Sequence, residues 1–148
     1  QPFYWAAGTT VPEGNVTYQW NLVFGDEIPI NLKVAQGMGE FFLDLRSISL
    51  KGLLVEPGTG NVTIYLPQSL EREVNAEIKS GLGSLTLRIP EDVATRVEVR
   101  HGIGEVRVSE GLIAQRDGSY VNGKYGSSEI FMNVEVESGL GTVNLELK

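Results

Sequence analysis

One short pattern, Gly-x-Gly followed by alternating apolar residues, is written five times in this chain of 148 residues. The copies begin at Gly37, Gly58, Gly81, Gly102 and Gly139, so successive copies stand 21, 23, 21 and 37 residues apart. A period of about 22 residues marks stacked repeats, in which one copy cannot bury its own apolar face and its neighbours must do so. The last interval is one period plus an insertion.

Apolar side chains alternate after each glycine pair: Phe41/Leu43/Leu45, Val62/Ile64/Leu66, Leu85/Leu87/Ile89, Val106/Val108 and Val143/Leu145/Leu147. A second alternating stretch precedes each pair, with Leu32/Val34, Leu53/Val55, Ala76/Ile78, Val97/Val99 and Val134/Val136 at fixed offsets. A period of two is that of a half-buried strand. Each repeat therefore reads as strand, glycine corner, strand. Equivalent strands are expected to run parallel, about 4.8 Å apart, with Val34, Val55, Ile78, Val99 and Val136 piled in one inward column. The corner is assigned to Gly37, Gly39, Gly58, Gly60, Gly81, Gly83, Gly102, Gly104, Gly139 and Gly141, because a bend needs φ > 0 or close backbone approach. Pro67 and Pro90 end their strands, since proline cannot donate to the next ladder bond.

These features predict an all-β chain, a parallel β-solenoid (β-helix) of roughly five to six rungs with an N-terminal cap and one inserted loop. The single domain 1–148 divides into a cap strand over 1–25, regular rungs over 26–108, an insertion over 109–129 and a last rung over 130–148. The cap is aromatic, with Phe3, Tyr4, Trp5 and Trp20; the insertion carries Tyr120 and Tyr125. Terminal rungs must differ from internal ones to close the core, and loops on a rigid scaffold often carry function. These six aromatics are the candidate partner surface. An uncovered last strand would need either the insertion or a second copy of the chain over it.

A formal charge of −7 argues against binding nucleic acid or docking electrostatically on an anionic membrane. The absence of cysteine excludes disulfides and thiolate metal sites. No apolar run approaches the ~18 residues of a membrane span. The chain opens on Gln1 rather than methionine, which is expected of a processed or trimmed chain, with any membrane attachment through a segment outside it.

Motifs for chemistry are weak. The glycine pairs lack the third glycine and following helix of a dinucleotide site, with Phe42, Thr63, Thr86, Arg107 and Asn144 at the third position. Gly118 to Lys124 spells the start of a phosphate-binding loop, but Tyr125 stands where a Mg²⁺-binding hydroxyl is required. Aspartate never recurs in register, as a calcium β-roll demands. His101 is the one histidine; it sits at a corner where the other repeats carry Gln36, Pro57, Ser80 and Ser138. No catalytic, cofactor or metal residue is assigned.

The recurring Gly-x-Gly motif, Leu43-Asp44-Leu45 followed by Leu53-Leu54-Val55, and the ending Tyr120-Val121-Asn122-Gly123 … Ser138-Gly139-Leu140-Gly141 resemble the bacterial toast-rack domains. They are similar to the C-terminal domain of LiaF-type cell-wall-active antibiotic response proteins and to adhesin-like envelope β-solenoids. The resemblance, over about residues 26–148, implies a right-handed solenoid on an extracytoplasmic bacterial envelope protein. It also implies a non-enzymatic scaffold, sensor or interaction domain, related to envelope stress, that needs no cofactor. An envelope protein is the implied partner, with self-association as a further expectation. The alternatives are an adhesin-like structural unit, or a glycan-binding or glycan-cleaving β-helix protein using Asp44, Glu105 and Arg107.

Overall fold

The computed structural model describes residues 3–7, 17–21, 30–127 and 129–147, with side chains from Ile30 onward except that of Gln36. Among the described residues twelve strands run in chain order: β1 (Phe3–Ala7), β2 (Thr17–Asn21), β3 (Ile30–Met38), β4 (Glu40–Asp44), β5 (Leu50–Thr59), β6 (Val62–Tyr65), β7 (Val74–Leu82), β8 (Leu85–Ile89), β9 (Thr95–Val108), β10 (Ile113–Ala114), β11 (Ser119–Val121) and β12 (Met132–Leu147). No helix occurs among the described residues. The strands form one curled sheet, parallel throughout except where the short β10–β11 hairpin joins β9. It bends along the column of Gly39, Gly60, Gly83, Gly141 and Gly104, whose φ angles lie between 110° and 142°. Two rows of strands, one on each side of the bend, enclose the core.

The inward columns form as the alternation predicts. Val34, Val55, Ile78, Val136 and Val99 are consecutive ladder partners. Across the bend Phe41, Val62, Leu85, Val143 and Val106 are stacked in the same way. Val34, Val55, Ile78, Leu85 and Val143 are fully buried. Each such side chain contributes about 1.5–3 kcal/mol when removed from water.

The order of the layers departs from the order of the repeats. β12 lies between the β7/β8 layer and β9, pairing with β7 and β8 on one edge and β9 on the other. The repeat that ends the chain is thus interior, and the repeat before it is outermost. Charge and burial account for this. The outward column reads Glu56, Lys79, Glu137, Arg100, alternating in sign; chain order would set Lys79 against Arg100. In the other row β12 brings Glu146 beside Arg88, 2.8 Å away. β12 also carries Met132, Val134, Val136, Val143 and Leu145, all buried, which an outermost position would expose.

The insertion folds over part of the outermost layer. β11 pairs antiparallel with Arg96, Val97 and Glu98 of β9, and β10 pairs with β11. Asn122, which is 1% exposed, fixes this hairpin to the turn before β9. Its amide nitrogen donates to the Val93 and Pro90 carbonyls at 2.5 and 3.1 Å, and its side-chain oxygen accepts from the Thr95 amide at 3.1 Å.

Candidate functional site

Two surface features stand out against the acidic exterior. The first is an apolar ridge at the bend. The middle residue of each Gly-x-Gly points away from a convex corner and so cannot reach the core. In spatial order these residues are Met38, Thr59, Leu82, Leu140 and Ile103, joined by the ladder registers. Leu82, Leu140 and Ile103 are 45%, 44% and 74% exposed. Spaced by one strand each, the five positions span about 19 Å.

The second is a cleft of about 290 Å³ on the β6/β8 row, lined by Arg46, Tyr65, Gln68, Arg88 and Pro90 among others. The Arg46 and Arg88 guanidiniums lie 4.8 and 5.5 Å from the Tyr65 ring centroid, and Phe42 packs on the same tyrosine at 5.1 Å. Both cations are already paired, Arg46 with Asp44 at 2.6 Å and Arg88 with Glu146. The cleft is a stacked aromatic and guanidinium wall with little net charge.

The candidate catalytic residues are not brought together. Asp44 is engaged by Arg46, which holds its carboxyl below the ordinary carboxylate range mainly through their side-chain hydrogen bond. Glu105 and Arg107 pair with each other at 2.6 Å in the outermost layer. Four strand spacings, about 19 Å, separate that layer from the layer of Asp44, well beyond the ~5–9.5 Å of a glycosidase carboxylate pair. Among the described residues no three His, Cys, Asp or Glu side chains lie close enough to hold a metal ion. His101 is exposed at the corner, beside Ser138. Of the candidate partner-binding aromatics, Tyr120 packs against the core and Tyr125 lies edge-on to Phe131 at 5.3 Å. Phe3, Tyr4, Trp5 and Trp20 lie in β1 and β2, and their side chains fall outside the described part.

Asp117 at the tip of the hairpin is a site the sequence did not flag. It accepts from the Ser119 hydroxyl at 2.5 Å and amide at 3.0 Å, and from Arg96 at 2.8 Å. The Ser119 hydroxyl first, then Arg96, holds its carboxyl far below the usual range. A carboxyl depressed in the folded state adds stability above its unfolded pKa and loses it as pH falls toward the folded value. The thermal midpoint of the wild type should therefore exceed that of Asp117→Asn at neutral pH, with the gap closing below about pH 4. A gap constant down to about pH 2 would show that the carboxylate does not support the hairpin.

Comparison with known proteins places these features. A family model described as the N-terminal domain of toast_rack, DUF2154, matches residues 6–88. The chain belongs to the toast-rack family. A crystal structure of a proposed cell adhesion protein from Clostridium sporogenes ATCC 15579 is similar, with a TM-score of 0.78 and 32% identity. The match covers 83% of this chain and 57% of that one, so this toast-rack chain spans little more than half of its structural relative. No curated protein matches the sequence. The family match begins within β1 and ends within β8, so it takes in the first three Gly-x-Gly corners and the ridge positions Met38, Thr59 and Leu82.

Proposed function

We propose that this toast-rack chain is a right-handed β-solenoid that serves as a non-catalytic interaction domain on the outside of a bacterial envelope. It presents a rigid face to an envelope protein, in an adhesion or envelope-stress setting. The observation that carries the reading is the ridge of Leu82, Leu140 and Ile103: large apolar side chains kept at a convex corner where a polar residue would cost the fold nothing. The likeness to a proposed adhesion protein supports it. So does the separation of Asp44 from Glu105, which favours binding over glycan cleavage.

The test is binding of the purified, labelled domain to intact bacterial envelopes. The double variant Leu82→Glu/Leu140→Glu should bind at least about tenfold less; each exposed substitution costs within about 0.5 kcal/mol and the like-charge pair it creates between ladder neighbours adds about 0.2–1 kcal/mol, so the thermal midpoint should fall only slightly. Undiminished binding would remove the ridge from the interaction. Glycan turnover by the wild type, lost in Glu105→Gln, would replace this reading with an enzymatic one.

A further inference from the structure

β11 covers the outer edge of β9 only over Arg96, Val97 and Glu98. From Val99 to Val108 no described strand lies on that side, and β12 occupies the opposite edge. Val99 and Val106 are half-buried, although their counterparts in the other layers are fully buried. Neither proline nor lysine blunts this stretch, as either commonly does on an exposed edge.

Ladder parity decides which backbone groups face outward. Gly39, Phe41 and Leu45 donate to Thr59, Asn61 and Tyr65 of the next layer; Gly60, Val62 and Leu66 donate to Leu82, Ser84 and Arg88; Gly83 donates to Leu140. Carried to the outermost layer, the same parity turns the N–H and C=O of Gly104, Val106 and Val108 away from β12. Ser109, of the other parity, donates back to the Leu145 carbonyl at 2.9 Å. Between these positions Glu105 and Arg107 project from the outer face, both exposed.

We infer that this edge is a two-fold interface at which a second copy of the chain pairs antiparallel, with Val106 opposite Val106 of the second copy. The two valines then exchange both backbone bonds, and Gly104 and Val108 exchange theirs with Val108 and Gly104 of the second copy. Inward faces stay inward, so the half-buried Val106 gains cover. On the outer face Glu105 stands opposite Arg107 of the second copy, and Arg107 opposite its Glu105. The bonding registers on either side are disfavoured, because one sets Glu105 against Glu105 and the other Arg107 against Arg107. An interface that uses one patch twice is isologous and closes at the dimer. The inference goes beyond the binding role proposed above and uses neither Leu82 nor Leu140.

Sedimentation equilibrium of the whole chain tests it. The wild type should show a concentration-dependent dimer. Val106→Pro removes an amide that the monomer does not use, so it should leave the circular dichroism spectrum intact. The same variant should remain monomeric at concentrations about tenfold above the wild-type midpoint. Glu105→Arg and Arg107→Glu should each weaken the dimer. Mixed together they should form a heterodimer, and the double swap in one chain should restore the homodimer. The charge variants carry the test if the proline variant fails to fold. A wild type monomeric at every concentration would overturn the inference, as would a dimer indifferent to these charges. A dimer lost only in Leu82→Glu/Leu140→Glu would transfer self-association to the ridge and overturn it equally.

Discussion

Gly83→Ala should destabilise the chain by about 3 kcal/mol or more, against the ~1 kcal/mol of an ordinary glycine-to-alanine strain. Two costs coincide. Gly83 has φ +119°, which an L-residue with a Cβ rarely adopts. The added methyl would also overlap the Gly60 carbonyl oxygen and crowd its carbon, both backbone atoms of the neighbouring layer. That carbonyl cannot swing aside, because the strands flanking Gly60, β5 and β6, are held in register by β3 and β4 on one side and by β7 and β8 on the other. Gly141, in the layer beyond, is packed against Gly83 in the same way, so a shift at one corner would pass along the column. Two controls separate the causes. Gly118 has φ +87° with open space at its Cβ, so Gly118→Ala should carry only the conformational strain, about 1 kcal/mol. Gly37 has open space and no positive φ, so Gly37→Ala should change stability by less than about 0.5 kcal/mol. Urea unfolding of the three variants checks the ranking. A Gly83→Ala loss no greater than that of Gly118→Ala would mean that the layers are not locked at the corner.

Asn122→Ala should cost about 2–4 kcal/mol. The asparagine is buried and holds three backbone groups of another segment: the Pro90 and Val93 carbonyls and the Thr95 amide. Truncation leaves the Pro90 carbonyl and the Thr95 amide desolvated without their partner, while the Val93 carbonyl keeps the Thr95 hydroxyl at 2.8 Å; each orphaned group costs more than the net value of a hydrogen bond. Asn122→Asp is the sharper variant. Aspartate keeps the acceptor for Thr95 but points a carboxylate oxygen at two carbonyls, so it should be at least as damaging as alanine near neutral pH. Hydrogen exchange gives the location. Amides of β11 and of the first residues of β9 should lose protection while those of β5 and β7 keep it. Uniform loss through the chain, or none, would show that Asn122 does not act as the latch between insertion and stack.

The corner and the columns were legible because they are periodic. Strand alternation and the Gly-x-Gly spacing repeat in every copy, so the sequence itself places Val34, Val55, Ile78, Val99 and Val136 in one column. The ridge was written in the same motif, as Met38, Leu82, Ile103 and Leu140, but a middle residue has no partner inside its own repeat to show which way it points. Asn122 was not legible as a latch. Its partners are main-chain groups 27 to 32 residues earlier, and main-chain groups leave no mark in a sequence. For Asp117 the obstacle is distance: its charged partner, the Arg96 side chain, stands 21 residues earlier on β9.

The sequence alone determined which residues face inward and where the chain bends, because both follow from a side-chain period of two and from the space a Cβ occupies. Only the tertiary structure decided the order in which the repeats stack. Every repeat offers the same apolar pattern to its neighbours, so the pattern is indifferent to order. The choice falls to interactions between layers: Glu137 between Lys79 and Arg100, Glu146 beside Arg88, and the inward Met132, Val134, Val136, Val143 and Leu145 of β12 drawn into the interior. That choice left β9 outermost, with its edge open beyond the three residues that β11 covers.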